Sequence, residues 1–227
     1  MKCVIQPATV VFALASLLVM PLSSSGQTTF YSQRTGFVAA SGSLSTIGFE
    51  NLAPADGFVN YGLAGSYSDQ GVTFSVAGDE QLFVNSATYY TTTYTLGNGD
   101  YLVTGPPVGT SAVALMTITL PANVTALGFD LGTFDFPSSE ISITLANGEQ
   151  RLLSAPYPSA AFYGVTTSSP IASLSLRITI GDRKDVLALD TFQFGRSKAA
   201  VPAPSALFPM IMGSVILFGA MKIRGSR

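Results

Sequence analysis

Glu50 and Asp190 are the two acidic residues whose placement along the chain could create a metal site. They stand in the first and the last strong strand candidates, and such strands lie side by side in many sandwich folds. Carboxylates and backbone carbonyls are the oxygen ligands that Ca²⁺ takes, about six to eight per ion. The pair therefore predicts a structural calcium site. The alternative is two strand-end acids that face solvent or pair with a basic residue.

A second candidate site is a cluster of aromatic and hydroxyl side chains near residue 90. Tyr89, Tyr90 and Tyr94 flank three consecutive threonines at 91–93. Tyr rings stack on sugar rings while Thr hydroxyls hydrogen-bond them, so the three tyrosines are candidate ligand-binding residues. Tyr and Thr also suit the half-buried surface of a strand pair, which is the structural alternative.

Two close acidic pairs, Asp79–Glu80 and Asp182 with Asp185, lie in predicted turns. Two carboxylates are the minimum for glycoside hydrolysis. Acids in turns are abundant in solvated loops, however. We therefore interpret these four residues as solvated loop acids rather than as a catalytic pair.

The sequence lacks several residue types that exported hydrolases use. It has no His and no Trp, and its one Cys is Cys3, which precedes the first apolar stretch. The lack of His removes the commonest general base and the usual zinc ligand. The lack of a later Cys removes a thiolate nucleophile and any disulfide. The composition therefore favours a non-enzymatic protein.

Charge is distributed unevenly along the chain. All 13 acidic residues lie between Glu50 and Asp190, whereas four of the 11 basic residues lie near the two ends. The middle of the chain is consequently acidic. A nucleic-acid partner is not expected, because it needs a basic patch that neutralises phosphates.

The elements that must position these residues are short strands. Apolar and polar residues alternate at 141–145 and 173–180, and Asn147–Gly148 predicts a two-residue hairpin turn that leads to a return strand at 149–153. No segment shows sustained helical periodicity. The pattern predicts an all-β fold, an antiparallel β-sandwich of jelly-roll-like type. Further strands are predicted at 46–50, 71–76, 81–85, 101–104, 112–120, 125–131 and 186–194.

The first 26 residues have the layout of a secretory signal peptide. Lys2 provides a positive start, residues 10–20 are continuously apolar, and small residues follow at 23–26. This layout predicts export with cleavage after Gly26. The alternative is an uncleaved N-terminal anchor.

The C-terminal end predicts a second membrane segment. Residues 205–221 are apolar or small, and Lys222, Arg224 and Arg227 follow them. A span of ~17 residues at roughly 1.5 Å each is just long enough to cross a hydrocarbon core of about 30 Å. Basic residues beyond the span favour a cytoplasmic tail.

This end also carries a recognisable motif. Val201, Pro202, Ala203 and Pro204 precede the apolar span and the basic tail, and this three-part pattern resembles the PEP-CTERM sorting signal of exported bacterial proteins. Such signals usually carry Glu at the position of Ala203. The middle of the chain resembles domains found with that signal at residues 47–52 (IGFENL), 67 (Y), 71–74 (GVTF), 129–132 (FDLG), 162–165 (FYGV), 170–171 (PI), 187–192 (LALDTF) and 194–195 (FG).

The resemblance implies that an exosortase, a membrane protease-transpeptidase, recognises the tail. It also implies a location at the cell surface or in an extracellular matrix rich in polysaccharide. The alternative is an ordinary single-pass anchor that is never cut. The implied organisation is a signal peptide (1–26), a flexible lead-in (27–44), a β-sandwich domain (45–196), a tether with the sorting motif (197–204), a transmembrane helix (205–221) and a basic cytoplasmic tail (222–227).

These observations predict an exported, non-enzymatic module with a structural or weak glycan-binding role in exopolysaccharide or biofilm. The rival from another class is an exported, calcium-dependent carbohydrate-active enzyme that works through Asp, Glu and Tyr. An adhesin-like domain that binds a partner is a third reading that the sequence leaves open.

Overall fold

The computed structural model describes residues 27–89, 96, 99–105, 114–133, 138–156, 159–179 and 186–198. The predicted signal peptide, sorting motif, transmembrane helix and basic tail lie outside these residues. Within the described part of the chain, no helix is both long enough and apolar enough to cross a membrane.

The described residues form two antiparallel sheets and one short helix, α1 (Arg34–Ala40). The larger sheet has the order β1 (Thr28–Tyr31), β12 (Ala161–Thr167), β9 (Ala126–Thr133), β14 (Leu187–Ser197), β7 (Tyr101–Gly105), β6 (Gln81–Asn85) and β3 (Phe58–Leu63), with β2 (Ser41–Ile47) also paired to β14. The smaller sheet has the order β11 (Gln150–Pro156), β10 (Ser138–Leu145), β13 (Ser173–Ile178), β8 (Leu115–Thr119), β5 (Val72–Ser75) and β4 (Ser66–Asp69).

The alternation of apolar and polar residues places the hydrophobic core between the two sheets. Phe74 of β5 and Phe192 of β14 come from opposite sheets, and their ring centroids are 5.2 Å apart. Both are fully buried, and residues of both sheets join one core cluster. The prediction of an antiparallel β-sandwich is therefore confirmed for the described residues.

The predicted flexible lead-in at 27–44 is wrong, because these residues form β1, α1 and the first part of β2. Phe37 of α1 is fully buried against Gly128 and Gly164, two glycines that pair across β9 and β12. The contacts that order this segment come from residues about 90 to 130 positions later, so no local pattern could reveal them. The sandwich consequently begins at Thr28 rather than at residue 45.

The predicted turn between β10 and β11 is longer by one residue. Leu145 donates its amide to the carbonyl of Glu149, and the amide of Gly148 donates to the carbonyl of Leu145, both at 2.9 Å. Gly148 has φ +85°, whereas Asn147 is not in the left-handed region. This is a three-residue loop with glycine at the left-handed position, rather than a two-residue turn.

Besides β1, which lies in the segment interpreted as a lead-in, three described strands were not predicted, namely β3, β4 and β12. β12 carries Gly164 near its centre, and glycine weakens a strand locally. The residue is nonetheless required there, because a Cβ at this position would lie 2.7 Å from the ring of Phe37. β3 and β4 are edge strands, where only one side is paired.

Candidate functional site

β14 carries the centre of the candidate site, because two different strands pair with one of its edges in succession. β7 pairs with residues 187–189, and β2 pairs with residues from Phe192 to Ser197. Asp190 and Thr191 lie between the two pairings, and we call these two residues the fork. Thr191 has φ +48°, and the register between β14 and β9 shifts between Asp190 and Gln193. The backbone is therefore irregular in the middle of the larger sheet.

Asp190 is a buried acid on the outer face of the larger sheet. Asp190 is 1% exposed, and Asp130 of β9 lies directly opposite it in the register. The pKa of Asp190 is raised to about 7. Burial is the largest cause, the negative charges of Asp130 and Glu50 act in the same direction, and the Thr191 amide that donates to Oδ1 at 2.6 Å acts against them. The protonated form of Asp190 is thus unusually favourable for a carboxyl group.

Glu50 reaches this region because a glycine leaves room for its side chain. A Cβ at Gly99 would collide with the carboxylate of Glu50, so this carboxylate lies directly against the Gly99 backbone. Asp100 accepts a hydrogen bond from the amide of Ala53 at 2.8 Å, which ties the segment after β2 to the start of β7. The structure therefore brings Glu50 within electrostatic reach of Asp190, as the sequence pattern predicts.

The carboxylate oxygens of Glu50 and Asp190 are of the type that a hard cation binds, but few carboxylates are present. Among the described residues, no group of three or more His, Cys, Asp or Glu side chains is arranged to hold a metal ion. Calcium at the fork would draw on Glu50 and Asp190 together with backbone carbonyls. The calcium site stays a prediction.

Arg34 neutralises the neighbouring acid, Asp130. It donates from Nη2 to both carboxylate oxygens of Asp130, at 2.7 and 2.6 Å, and from Nη1 to Oε1 of Gln193 at 2.8 Å. Its guanidinium lies 4.5 Å from the ring centre of Phe162. Sequence reasoning missed Arg34, because it lies in the segment that was interpreted as a lead-in.

A cluster of three aromatic rings lies on the same outer face, towards the β3 edge of the sheet. The ring centroid of Phe58 is 5.8 Å from that of Phe83 and 5.2 Å from that of Tyr89, both in edge-to-face geometry. Phe58 is 43% exposed. We call Phe58, Phe83 and Tyr89 the aromatic patch. The edge contacts fix the rings relative to one another while one of them faces solvent.

Tyr89 is positioned by a hydrogen-bonded turn that follows β6. Its amide donates to the carbonyl of Ser86 at 3.1 Å, and the amide of Ser86 donates to the carbonyl of Gly57 at 3.0 Å. In return, the amide of Gly57 donates to Oγ of Ser86 at 3.2 Å, and that of Asp56 donates to Oγ1 of Thr88 at 3.1 Å. The turn is thus fastened to the segment that leads into β3.

The structure places one of the three predicted tyrosines in this patch. Tyr89 belongs to it, whereas Tyr90 and Tyr94 lie outside the described residues. Phe58 and Phe83 were missed as site residues. The sequence gives no signal for Phe58, because apolar residues of β3 (FVNYGL) occupy both its exposed and its half-buried positions.

The aromatic patch and the fork are connected across one face of the sheet. Phe58 lies opposite Asn85, which lies opposite Tyr101. Leu102 in turn lies opposite Leu189, which places Asp190 beside Tyr101. Three strand spacings of ~4.8 Å separate β3 from β14, so the patch lies about 14 Å from the fork.

Glu80 is not a solvated loop acid, contrary to the sequence interpretation. It is 5% exposed, and its Oε2 accepts from Oγ1 of Thr104 at 3.2 Å and from the amide of Leu115 at 2.8 Å. Burial raises the pKa of Glu80. The carboxyl connects β7 to the start of β8 and therefore has a structural role. Asp182 and Asp185 lie outside the described residues.

No protein-family model matches this chain, and no curated protein matches it. Among solved structures, it is similar to the K2 cleaved adhesin domain of Lys-gingipain, at 13% identity and a TM-score of 0.48, over 68% of this chain and 98% of that one. It is also similar to the CBM22-1 xylan-binding domain of Paenibacillus barcinonensis Xyn10C, at 15% identity and a TM-score of 0.37, over 70% of this chain and 98% of that one. A third similar structure is an exo-beta-agarase, at 12% identity and a TM-score of 0.39, over 60% of this chain and 24% of that one. Likenesses this distant carry no argument about function, which rests on the residues of this chain.

Proposed function

We propose that this protein is an exported, non-enzymatic β-sandwich module that binds polysaccharide through the aromatic patch. The observation that supports the proposal is the exposed ring of Phe58, held by edge contacts to Phe83 and Tyr89. A lone exposed Phe is ordinary on a protein surface. Three rings fixed on one sheet face offer a preorganised apolar platform, which suits the flat faces of sugar rings.

A polar group beside the platform adds hydrogen bonding. Asn60 is exposed on the same face, opposite Phe83 in the register. Its Oδ1 accepts from the amide of Gly62 at 2.7 Å, which fixes the orientation of the side chain and leaves the NH₂ group as the donor end. A sugar hydroxyl above the aromatic rings is a suitable acceptor for that group.

The rival function, a carbohydrate-active enzyme, receives less support from the geometry of the acids. Glycoside hydrolysis needs two carboxyl groups that flank the scissile bond of the substrate. Asp190 is 1% exposed, and Asp130 is engaged by Arg34 through both of its oxygens. The first cannot touch a substrate without a rearrangement, and the second already has a cationic partner.

Affinity electrophoresis of the full-length chain tests the binding site. The protein, kept in a non-glycosidic detergent, runs through gels that contain xylan, agarose or alginate. We expect Phe58→Ala to weaken retardation by at least one of these polysaccharides about ten-fold, as truncation of a central aromatic contact does in other interfaces. Val38→Ala, on α1 and similarly exposed at 46%, serves as the matched control and should migrate like the wild type. Equal retardation of the wild type and Phe58→Ala would rule out the patch.

We further propose that the chain is exported and retained at the cell surface or in the matrix by its C-terminal end. The support is the sequence pattern of Val201, Pro202, Ala203 and Pro204, the apolar span at 205–221 and the basic tail, with an exosortase as the partner. Deletion of residues 201–227 should release the protein from membranes. Persistent membrane association of the deleted chain would contradict this assignment.

The proposed calcium ion would stabilise this module rather than take part in chemistry. Glu50 and Asp190 come from the segments after β2 and within β14, so an ion between them would join the two strands at the fork. A cation there would favour the ionised form of Asp190, which opposes the effect of burial.

A further inference from the structure

The outer face of the smaller sheet carries two rows of hydroxyl side chains that run across neighbouring strands. In the first row, Thr144 lies opposite Ser175, Ser175 opposite Thr117, Thr117 opposite Ser75, and Ser75 opposite Ser66. The row therefore crosses five strands without interruption. At ~4.8 Å per strand it is about 19 Å long.

The second row lies two residues further along the strands. Ser173 lies opposite Thr119, Thr119 opposite Thr73, and Thr73 opposite Ser68. Oγ of Ser68 and Oγ1 of Thr73 are hydrogen-bonded at 2.9 Å. Since two residues along a strand span roughly 6.8 Å, the rows form a two-dimensional array. We call these two rows the hydroxyl face.

The hydroxyl face is accessible and carries no charged side chain. All its residues are exposed or half-buried, and none is Lys, Arg, Asp or Glu. The charged residues beside it are Arg177, in the adjacent row opposite Ser142, and Asp69, which follows Ser68 in β4. Solvent-facing sheet surfaces need polar residues, but long charged side chains would serve that purpose equally well. The uniform choice of short hydroxyls is the feature that calls for an explanation.

Short hydroxyl side chains are preorganised for binding. Thr is β-branched and stiff at χ1, so ordering it costs little rotamer entropy. Each hydroxyl donates one hydrogen bond and accepts others. The matching surface is therefore neutral and rich in groups that both donate and accept. A strongly charged ligand would find no opposite charge to replace its hydration.

We propose that the hydroxyl face is a second binding surface, for uncharged and hydrated polysaccharide chains. A sheet twists by about 20–25° per strand, so this face cannot follow a flat crystalline plane, whereas separate chains can adapt to it. The face lies on the side of the sandwich opposite the aromatic patch. One molecule can then contact two chains and bridge them.

A matched pair of double variants tests the proposal on the full-length chain. Thr117→Val/Thr119→Val keeps the shape and strand propensity of the hydroxyl face but removes two central hydroxyls. Thr29→Val/Thr46→Val makes the same change at exposed strand positions of the larger sheet. We expect about ten-fold weaker retardation by neutral agarose or xylan for the first variant, since each lost hydrogen bond weakens binding several-fold. The second variant should bind like the wild type.

Combination with the aromatic patch separates this proposal from the proposed function. Thr117→Val/Thr119→Val should weaken retardation further in a Phe58→Ala background, because the two faces act independently. If only Phe58→Ala weakens retardation, the aromatic site stands and the hydroxyl face is overturned. If only Thr117→Val/Thr119→Val weakens it, the hydroxyl face stands and the aromatic site fails.

Three other results would overturn the proposal. The first is wild-type protein that no neutral polysaccharide retards. The second is retardation of Phe58→Ala by alginate, which is acidic, as strong as its retardation by neutral polysaccharides. The third is a dimer in sedimentation velocity that Thr117→Val/Thr119→Val dissociates, because the face is then occupied by a second copy of this chain.

Discussion

The outer faces of the two sheets differ more than their inner faces do. β9 of the larger sheet is buried at seven of its eight positions, because α1 and neighbouring side chains cover its outer side. β8 of the smaller sheet alternates between buried and accessible positions. The larger sheet therefore has a second packed layer, whereas the smaller sheet has one packed face and one wet face.

This difference decides how strongly a polar group on the outer face of each sheet is affected by its surroundings. Charges in the packed layer are partly removed from water, so burial and neighbouring charges change their ionisation, as at Asp190. Hydroxyls on the wet face exchange hydrogen bonds with water at little net gain. A single buried acid can therefore change the stability of the protein, whereas exposed hydroxyls contribute to binding only when many of them act together in a regular array.

The comparison predicts that added volume is tolerated on one face and not on the other. Gly164→Val should lower the free energy of unfolding by about 3 kcal/mol, because its Cβ would lie 2.7 Å from the ring of Phe37. Ser175→Val, also on the outer face of a paired strand, should change it by less than about 0.5 kcal/mol. Urea denaturation followed by circular dichroism measures both. Similar losses for the two variants would show that the outer layer of the larger sheet is not closely packed.

The next prediction concerns pH and the buried acid. The pKa of Asp190 is raised from 3.8 to about 7 in the folded protein, so between these values the folded state binds more protons than the unfolded state. The free energy of unfolding should therefore fall as the pH rises from about 4 to about 7. Below this window the carboxyl is protonated in both states, and above it the full cost of the buried charge remains.

Asp190→Asn should remove most of this dependence and leave the part that comes from Glu80, whose pKa burial also raises. In the presence of a chelator we expect the variant to be more stable than the wild type by about 2 kcal/mol at pH 8, with the difference shrinking towards pH 4. Glu140→Gln, on an exposed position of the smaller sheet, should follow the wild type. Thermal unfolding at a series of pH values gives the slope.

Added calcium tests whether Asp190 and Glu50 bind an ion. Millimolar Ca²⁺ should raise the Tm of the wild type at pH 8, and Asp190→Asn and Glu50→Gln should both lose that increase. An equal Tm with calcium and with chelator would remove the proposed ion. It would leave the pH dependence of Asp190 intact, because that dependence arises from burial.

The wet side of the molecule could be predicted from the sequence far better than the packed outer layer. Residues 173–178 and 141–145 alternate strictly, and both became strands with the expected face inward. In the packed layer, the pairing of Glu50 with Asp190 followed from their positions in the first and last strong strand candidates, while the calcium site stays a prediction. Alternation of apolar and polar residues with period two indicates a strand with one buried face, so such strands can be predicted from the sequence alone.

The second layer could not be predicted, because its contacts join distant parts of the chain. Nothing local shows that Phe37 lies against Gly128 and Gly164, or that Arg34 reaches Asp130. A strand buried on both faces loses the alternation that identifies it, and its glycines resemble breaks. The burial of Glu80 could not be predicted for the same reason, because its hydrogen-bond partners are Thr104 of β7 and Leu115 at the start of β8.

The smallest predicted effect separates a packed ion pair from a surface charge. Arg34→Met should lower the free energy of unfolding by about 1 kcal/mol, because Asp130 is 17% exposed and loses a partner that contacts both of its oxygens. Arg177→Met on the wet face should cost less than about 0.5 kcal/mol.

A double-mutant cycle decides whether the pair itself or the packing of the arginine is responsible. Asp130→Asn combined with Arg34→Met should recover most of the loss, since no unpaired charge then remains on the outer face of β9. If the double variant is as unstable as the sum of the single ones, the contribution of Arg34 comes from its stacking on Phe162 instead. The packed layer would then be stabilised by contacts of aromatic rings and of the aliphatic part of Arg34. Its charges would contribute little to stability.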